Sequence, residues 1–584
     1  FCIKIKIFIY IITIMSFWRA EDKIPISQKS VSVPSQNGLE YSGGQRVLIQ
    51  VPSSIEYIQP KECYLQFEVQ IKLPAGKPPT FLQLDETLGA QSLIRDIRIF
   101  SSGAGKILLE EFQNYNVLTN LKYTYETNDV LRKKRSLTEG STYHSVATRG
   151  TCGTTESHKN AIEENPYFKN NKSTVLTDAD FVKVKCLLPI NTGIFQNDRV
   201  FPVLMTEGLT LDITLENNDL VFRQLDQANA RNRLAFAPLF HSVNGSLNAP
   251  SNLPDSTDVQ SIFLANDNMI NSVPNVPFCI GETLKFARLS DGLATGMDAI
   301  MTISAISACT TNNLIQVDFS ASGQVDEEVT ASGTWAVVSD SVESQTSYDA
   351  TYTISDVQLI LQQLEMPQGY TQKMMSMMKE GGKMNYDFLS FTNYKYSQLS
   401  SDVVANIRLP LNMSRAKAIL CIPTDATVLN SADHISRKNA YKWWEVDNTR
   451  DHTMESDKTG LVGISDNVQD YQFFYDGKLN PSRKVDVSRT STQVSISQQQ
   501  LIELEKALSM SDITPYSFRG FMENYCLGRA LSLHNGVYDT RGKDFNLQIE
   551  YTGAYQPSKN KLWNNYVAHI RRLEFSGNGI SMQV

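Results

Sequence analysis

The side chains that could do chemistry in this chain are few and scattered. Seven histidines occur, His144, His158, His241, His434, His452, His534 and His569. None has a second histidine at metal-ligand spacing and there is no His-Glu-x-x-His helix, so zinc chemistry has no ligand set. The eight cysteines, Cys2, Cys63, Cys152, Cys186, Cys279, Cys309, Cys421 and Cys526, stand singly with no two within four residues. That spacing excludes Cys-x-x-Cys redox pairs and zinc ribbons, and it suits small buried apolar groups in a reducing compartment. No Gly-x-Ser-x-Gly elbow offers a hydrolase nucleophile. Gly103-Ala-Gly105-Lys106 superficially resembles a phosphate loop, but the first glycine is misplaced and Ile107 stands where a Mg²⁺-binding hydroxyl belongs; a hairpin turn is expected there.

Other signals are weaker still. Acidic pairs such as Asp255/Asp258 and Glu327/Glu328 could serve a glycosidase, but nothing selects one pair over another. Arg132-Lys-Lys-Arg135 reads as part of a solvated loop running to about Lys172. Asn171-Lys-Ser173, Asn244-Gly-Ser246 and Asn412-Met-Ser414 fit the glycosylation pattern, with Asn412 inside a strand cluster. The run Lys373-Met-Met-Ser-Met-Met-Lys379 reads as adaptable packing rather than a cofactor box. The expectation is therefore no enzyme: no catalytic residues, no cofactor-binding residues, no metal ligands and no cofactor.

The elements that would have to position a site are β-strands. The chain has 584 residues, 41% hydrophobic and 20% charged, with net charge −8, enough for several globular domains and of the wrong sign to coat nucleic acid. Phe1 to Ile14 is apolar apart from Lys4 and Lys6, shorter than the roughly 20 residues that span a bilayer. Translation is expected to start at Met15, and residues 1–44 to form an N-terminal segment and flexible arm. From Cys63 to Leu73 apolar and polar residues alternate strictly, the mark of a half-buried antiparallel strand. Ser92 to Phe100, Phe181 to Leu188 and Leu209 to Leu215 continue the pattern, with a short helical stretch placing Leu108, Phe112 and Tyr115 on one face. Residues 217–342 are rich in Ser, Thr, Asn, Ala and Gly, and read as an all-β insertion at one end of the first sandwich. Gln498 to Met510 reads as an amphipathic helix with Leu501, Leu504 and Leu508 inward.

In order along the chain, several stretches resemble one family. Leu93-Ile-Arg-Asp-Ile-Arg-Ile-Phe100 with Leu109-Glu-Glu-Phe-Gln-Asn-Tyr115, then Leu188-Pro-Ile-Asn-Thr-Gly-Ile-Phe195 with Val200-Phe-Pro-Val-Leu204, resemble parts of a first jelly roll. Val357 to Met366 resembles its last strand and the crossover. Leu409 to Ile422, Gln472-Phe-Phe-Tyr-Asp-Gly-Lys-Leu-Asn-Pro481 and Tyr566 to Phe575 resemble a second roll. The whole is similar to double jelly-roll major capsid proteins of the adenovirus-like lineage, of polinton, polinton-like-virus and virophage type.

That resemblance implies an all-β fold of two consecutive eight-stranded jelly-roll sandwiches with a long β-rich loop insertion and a few short helices. It implies a first roll over 45–366 with the 217–342 insertion as an exterior tower, a linker helix over 367–383 and a second roll over 384–584. It further implies pseudo-hexameric homotrimers tiling an icosahedral virion shell, assembled inside the host cell. Expected partners are neighbouring capsomers, a single jelly-roll penton protein and minor capsid or cement proteins, without sequence-specific nucleic-acid contact; contact with an internal membrane stays open. The rival readings are a carbohydrate- or receptor-binding fibre or spike component and, more remotely, a β-sandwich glycoside hydrolase.

Overall fold

A computed structural model describes residues 27–72, 81–141 and 181–225 apart from Glu86 and Ala104, the strands between 240 and 339, residues 351–426, and most of 460–583. In the first half the chain forms β1 (Ser27–Pro34), β2 (Glu40–Ser42), β3 (Arg46–Val51), β4 (Tyr57–Ile58), β5 (Tyr64–Lys72), β6 (Phe81–Leu84), β7 (Ile94–Ser101), β8 (Leu108–Phe112), β9 (Lys183–Pro189), β10 (Leu209–Leu215) and β11 (Phe222–Leu225). Helices α1 (Tyr115–Glu126) and α2 (Asp129–Thr138) lie between β8 and β9. The alternation foreseen in β5 is realised: Leu65, Phe67, Val69 and Ile71 are buried, and the residues between them are not.

Beyond β11, the described residues of the insertion form nine strands, β12 (Phe240–Val243), β13 (Ser246–Asn248), β14 (Asp258–Leu264), β15 (Met269–Ile270), β16 (Val273–Pro274), β17 (Thr283–Arg288), β18 (Met301–Cys309), β19 (Leu314–Gln324) and β20 (Trp335–Ser339). Seven of them make a separate sheet in the order β13-β12-β14-β19-β18-β17-β20. The chain then returns as β21 (Thr351–Glu365) and passes through helix α3 (Gln368–Lys379). The second half is β22 (Met384–Gln398), β23 (Val404–Leu409), β24 (Ala416–Asp425), β25 (Asp470–Tyr475), β26 (Lys478–Asp486), helix α4 (Gln498–Met510), β27 (Leu527–Ala530), β28 (Phe545–Glu550), β29 (Lys561–Ser576) and β30 (Gly579–Gln583).

Strand order identifies the fold. The eight principal strands of the first half are β1, β3, β5, β7, β8, β9, β10 and β21. Their sheets run β1-β21-β5-β9 and β3-β10-β7-β8, which is first-eighth-third-sixth and second-seventh-fourth-fifth. The second half runs β22-β29-β24-β27 and β23-β28-β25-β26, the same order in both sheets. Each half is thus a complete jelly roll, two four-stranded layers wound as Greek keys. Because every pairing is antiparallel, the connections fall into two sets at opposite ends. At one end they are short: 52–63, 102–107 and 190–208 in the first roll, 410–415, 476–477 and 531–544 in the second. At the other end lie the long ones, 73–93, 113–182 and 216–350, then 426–469 and 487–526. The insertion therefore occupies the connection between the seventh and eighth strands. Pairing of β11 with β6 ties its first residues to the third-to-fourth connection at that same end.

Three expectations are corrected. Residues 27–44 are not a free arm: β1 pairs with β21 from Ser27↔Glu365 to Pro34↔Gln358, and β2 follows it along the same strand. Backbone pairing holds this stretch, so its Ser- and Gln-rich side chains, mostly facing solvent, gave no sign of it. Leu108 and Phe112 belong to a strand paired with β7, and the helix starts only at Tyr115; five residues fit either period, and the neighbouring strand decides. Arg132 to Arg135 lie in α2 rather than a loop. The Asn128 side chain accepts the Leu131 N–H at 2.9 Å and starts that helix, and the Arg135 guanidinium lies 3.5 Å from the Tyr123 ring centroid.

Candidate functional site: the junction between the rolls

The sequence-flagged chemistry does not converge. His144, His158, His434, His452 and His534 lie outside the described residues, as do Cys2, Cys152, Cys279, Asp255, Glu327, Glu328, Asn171 and Asn244. His241 falls on β12 and His569 on β29. Cys63, Cys186, Cys421 and Cys526 are buried; burial pushes the Cys63 thiol up to about 12, so it is no nucleophile. The Gly103–Lys106 segment closes a turn, with the Lys106 N–H on the Gly103 carbonyl at 3.0 Å, and leads into a strand where a phosphate loop needs a helix. Asn412 is exposed in the connection after β23. Among the described residues no group of three His, Cys, Asp or Glu side chains could hold a metal ion, and no helix is long and apolar enough to cross a membrane.

What the fold does assemble is a buried seam between the rolls. Strand β24 is covered on both faces. Ala418, Leu420 and Ile422 join, with Leu504 and Leu508 of α4, the apolar cluster that runs on into the first roll, whereas Ile419 and Cys421 belong to the separate core of the second. The run Ala416-Lys-Ala-Ile-Leu-Cys-Ile shows this double burial as near-continuous hydrophobicity. Across the seam, β8, the start of α1 and the 190–208 connection of the first roll meet β22 and β29 of the second. Phe112 packs on Phe391 with ring centroids 5.9 Å apart, and Phe201 meets Tyr386 edge-on at 5.1 Å.

Polar groups fix the register of the seam. Asn114 Nδ2 donates to Asn564 Oδ1 at 2.6 Å, the Tyr566 hydroxyl donates to the Asn114 carbonyl at 2.7 Å, and Arg571 Nη1 donates to the Leu109 carbonyl at 2.9 Å. At the short-connection end, Asn197 Nδ2 donates to the Asp387 carbonyl at 2.9 Å. At the long-connection end, the Tyr516 N–H reaches the Tyr125 carbonyl at 2.9 Å and Asn524 bonds Asn120 at 3.2 Å. Low-numbered residues of β8 meet high-numbered residues of β29 and the reverse; because β8 runs toward the long-connection end and β29 away from it, the rolls stand side by side the same way up.

At the centre sits Glu110, with no solvent exposure. Its carboxylate accepts the N–H groups of Gly193 at 2.8 Å and Ile194 at 2.9 Å, and the Ser390 hydroxyl of the second roll at 2.9 Å. Burial raises its pKa to about 7 despite these donors and Arg571. Burial, aided by Arg571, lowers His569 to about 3, so its imidazole is neutral. Arg571 Nε has no hydrogen-bond partner among the described residues. A cleft of about 460 Å³ opens beside the seam, lined by residues including Lys61, Lys122, Arg199, Asp387 and Asp512 but by no histidine or cysteine. Two of its charges are engaged within the chain: Lys61 pairs with Asp198 at 2.7 Å, and Arg572 grips Asp387 at 2.7 and 2.8 Å. The arrangement holds two sandwiches in register.

Sequence reading missed Glu110, Asn114, Ser390, Asn564 and Arg571 as a set. One signal was present: in β8 the alternation puts Glu110 on the face of Leu108 and Phe112, an acid where an apolar residue is due.

No family model matches the chain, and no curated protein matches it. Solved structures similar to it include the PBCV-1 virus capsid, at 8% identity and TM-score 0.45, covering 96% of this chain and 97% of that one. The Faustovirus major capsid protein matches at 8% and 0.47, covering 95% and 91%, and the mavirus major capsid protein at 9% and 0.35, covering 96% and 91%. Likenesses this distant add nothing to the strand order. By that order the chain is a double jelly roll.

Proposed function

We propose that this chain is a structural shell protein whose homotrimers act as pseudo-hexameric capsomers of an icosahedral virion. The observation that carries the reading is the side-by-side, same-way-up pairing of two rolls of identical topology. Three such chains supply six similar units to a ring, which tiles a flat lattice and leaves the fivefold corners to another protein. The short-connection end makes a level base, and the long connections, the 217–342 insertion foremost, form the exterior tower, since outward loops tolerate length. A trimer contact of the obligate class buries about 2,000–5,000 Å². A single jelly-roll penton and minor capsid proteins complete the shell in this reading.

The test is light scattering on the purified full chain, with electron microscopy of the same sample. A mass three times the 65.5 kDa chain, a hexagonal outline and hexagonal arrays at high concentration are expected. A monomer that binds oligosaccharides overturns the shell reading in favour of a fibre or spike component.

A further inference from the structure

The seam inside one chain is a template for a contact between chains. In it, the fifth strand of the first roll (β8) and the sixth-to-seventh connection (190–208) face the first and eighth strands of the second roll (β22, β29). Helix α1 runs beside Ser511–Ile513, just past α4. The contact is head-to-tail, so the second roll keeps a free copy of the first side and the first roll a free copy of the second. Head-to-tail contacts repeat until a ring closes.

Both free sides carry exposed apolar groups. On the first roll, the counterpart of β22 is the β1–β2 segment, and that of α4 is α2: both helices follow a fifth strand and pack on the sixth, α2 on β9 and α4 on β27. Leu39 in that segment is 89% exposed, and Leu137 and Val130 on α2 are 86% and 75% exposed, the three most exposed large apolar side chains among the described residues. Seven residues apart, Val130 and Leu137 share one face of α2. On the second roll, the counterparts of β8 and 190–208 are β26 and 531–544. They carry Leu479 and Val537, 52% and 44% exposed. The charges match with the rolls upright: Lys478, at the short-connection end of β26, comes level with exposed Glu365 of β21, and Asp486, at the other end, with the basic helix α2.

We infer that a second copy of this chain sets β26 and its 531–544 connection against the β1–β2 segment and helix α2 of the first roll, repeating the internal seam between subunits. This assignment rests on the trimer reading above and names the surfaces that make it.

The test is hydroxyl-radical footprinting of the wild-type trimer, with Val404 and Met377, 45% and 48% exposed, as reference side chains off the proposed contact. Leu39, Val130, Leu137 and Leu479 are expected to label at least fivefold less than their exposure in the single chain predicts, and the references at full rate. Light scattering on Val130→Glu/Leu137→Glu and on Leu479→Glu should show at least a tenfold rise in the concentration for half-dissociation, with Val404→Glu unchanged. If the wild type is a trimer but these side chains label like the references, or if both variants stay trimeric, the surface assignment is wrong and the trimer stands. If they are equally protected in a monomer, the chain covers them itself and the assignment also fails. A wild type that is monomeric at every concentration removes the trimer reading instead.

Discussion

Asn114 of the first roll and Tyr566 of the second are joined main chain to side chain: the tyrosine hydroxyl donates to the Asn114 carbonyl at 2.7 Å. Asn114 is in the left-handed region, φ 51°, a conformation asparagine tolerates better than most residues. Its side chain meanwhile bonds Asn564 at 2.6 Å and accepts from Lys395 Nζ at 3.0 Å. One residue thus ends β8, admits α1 and pins the second roll.

Asn114→Ala should destabilise the chain by about 2–3 kcal/mol in chemical denaturation, combining the lost bonds with left-handed backbone strain. Asn114→Gly relieves the strain and should cost about 1–2 kcal/mol; Tyr566→Phe should cost about 1 kcal/mol. Equal losses for Ala and Gly would show that backbone conformation at this position is immaterial.

Glu110 makes stability depend on pH. Its folded pKa of about 7 lies above the ordinary 4.5, so the folded state holds a proton that the unfolded chain releases. Stability should therefore fall as pH rises from about 4.5 to 7 and level off above, by on the order of 3 kcal/mol from this group. Glu139, also raised to about 7 by burial, acts in the same direction. Glu110→Gln should flatten the slope by close to one proton's worth in melts between pH 5 and 8; an unchanged slope would assign it elsewhere.

Gly193 has no room for a side chain. A Cβ there would stand 2.0 Å from the Leu389 carbonyl oxygen and 2.7 Å from Glu110 Oε1. Gly193→Ala must push the 190–208 connection off β22 and weaken the bond from its own N–H to Glu110. The expected outcome is a loss of about 3 kcal/mol or more, with new proteolytic cleavage near residues 190–208. Wild-type melting would mean the seam can slide.

The methionines of α3 are not equivalent. Met374 and Met378 are buried in the first roll's cluster, whereas Met377 is 48% exposed. Met374→Ser and Met378→Ser should each cost about 2–3 kcal/mol, and Met377→Ser less than about 0.5 kcal/mol. A uniform small effect would make the helix a surface linker.

Alternation and double burial were legible in the sequence because they are local consequences of which side chains leave water. Leu65 to Ile71 in β5 and Ala416 to Ile422 in β24 declare a strand with one covered face and a strand with two. The order of motifs along the chain suggested two rolls. What the tertiary structure alone decided are the relations that depend on distant partners. The Ser27–Pro34 segment looks like an arm until β21, more than 300 residues later, takes up its backbone groups. Arg132 to Arg135 read as loop until the Asn128 cap and the Tyr123 ring gave them a helix. Glu110 looks like any strand carboxylate; only the approach of Gly193 and Ile194 from one connection and of Ser390 from the second roll makes it the centre of the seam. Periodicity reports how a residue faces its own element, whereas the partner it faces is set by how the sheets and rolls close on one another.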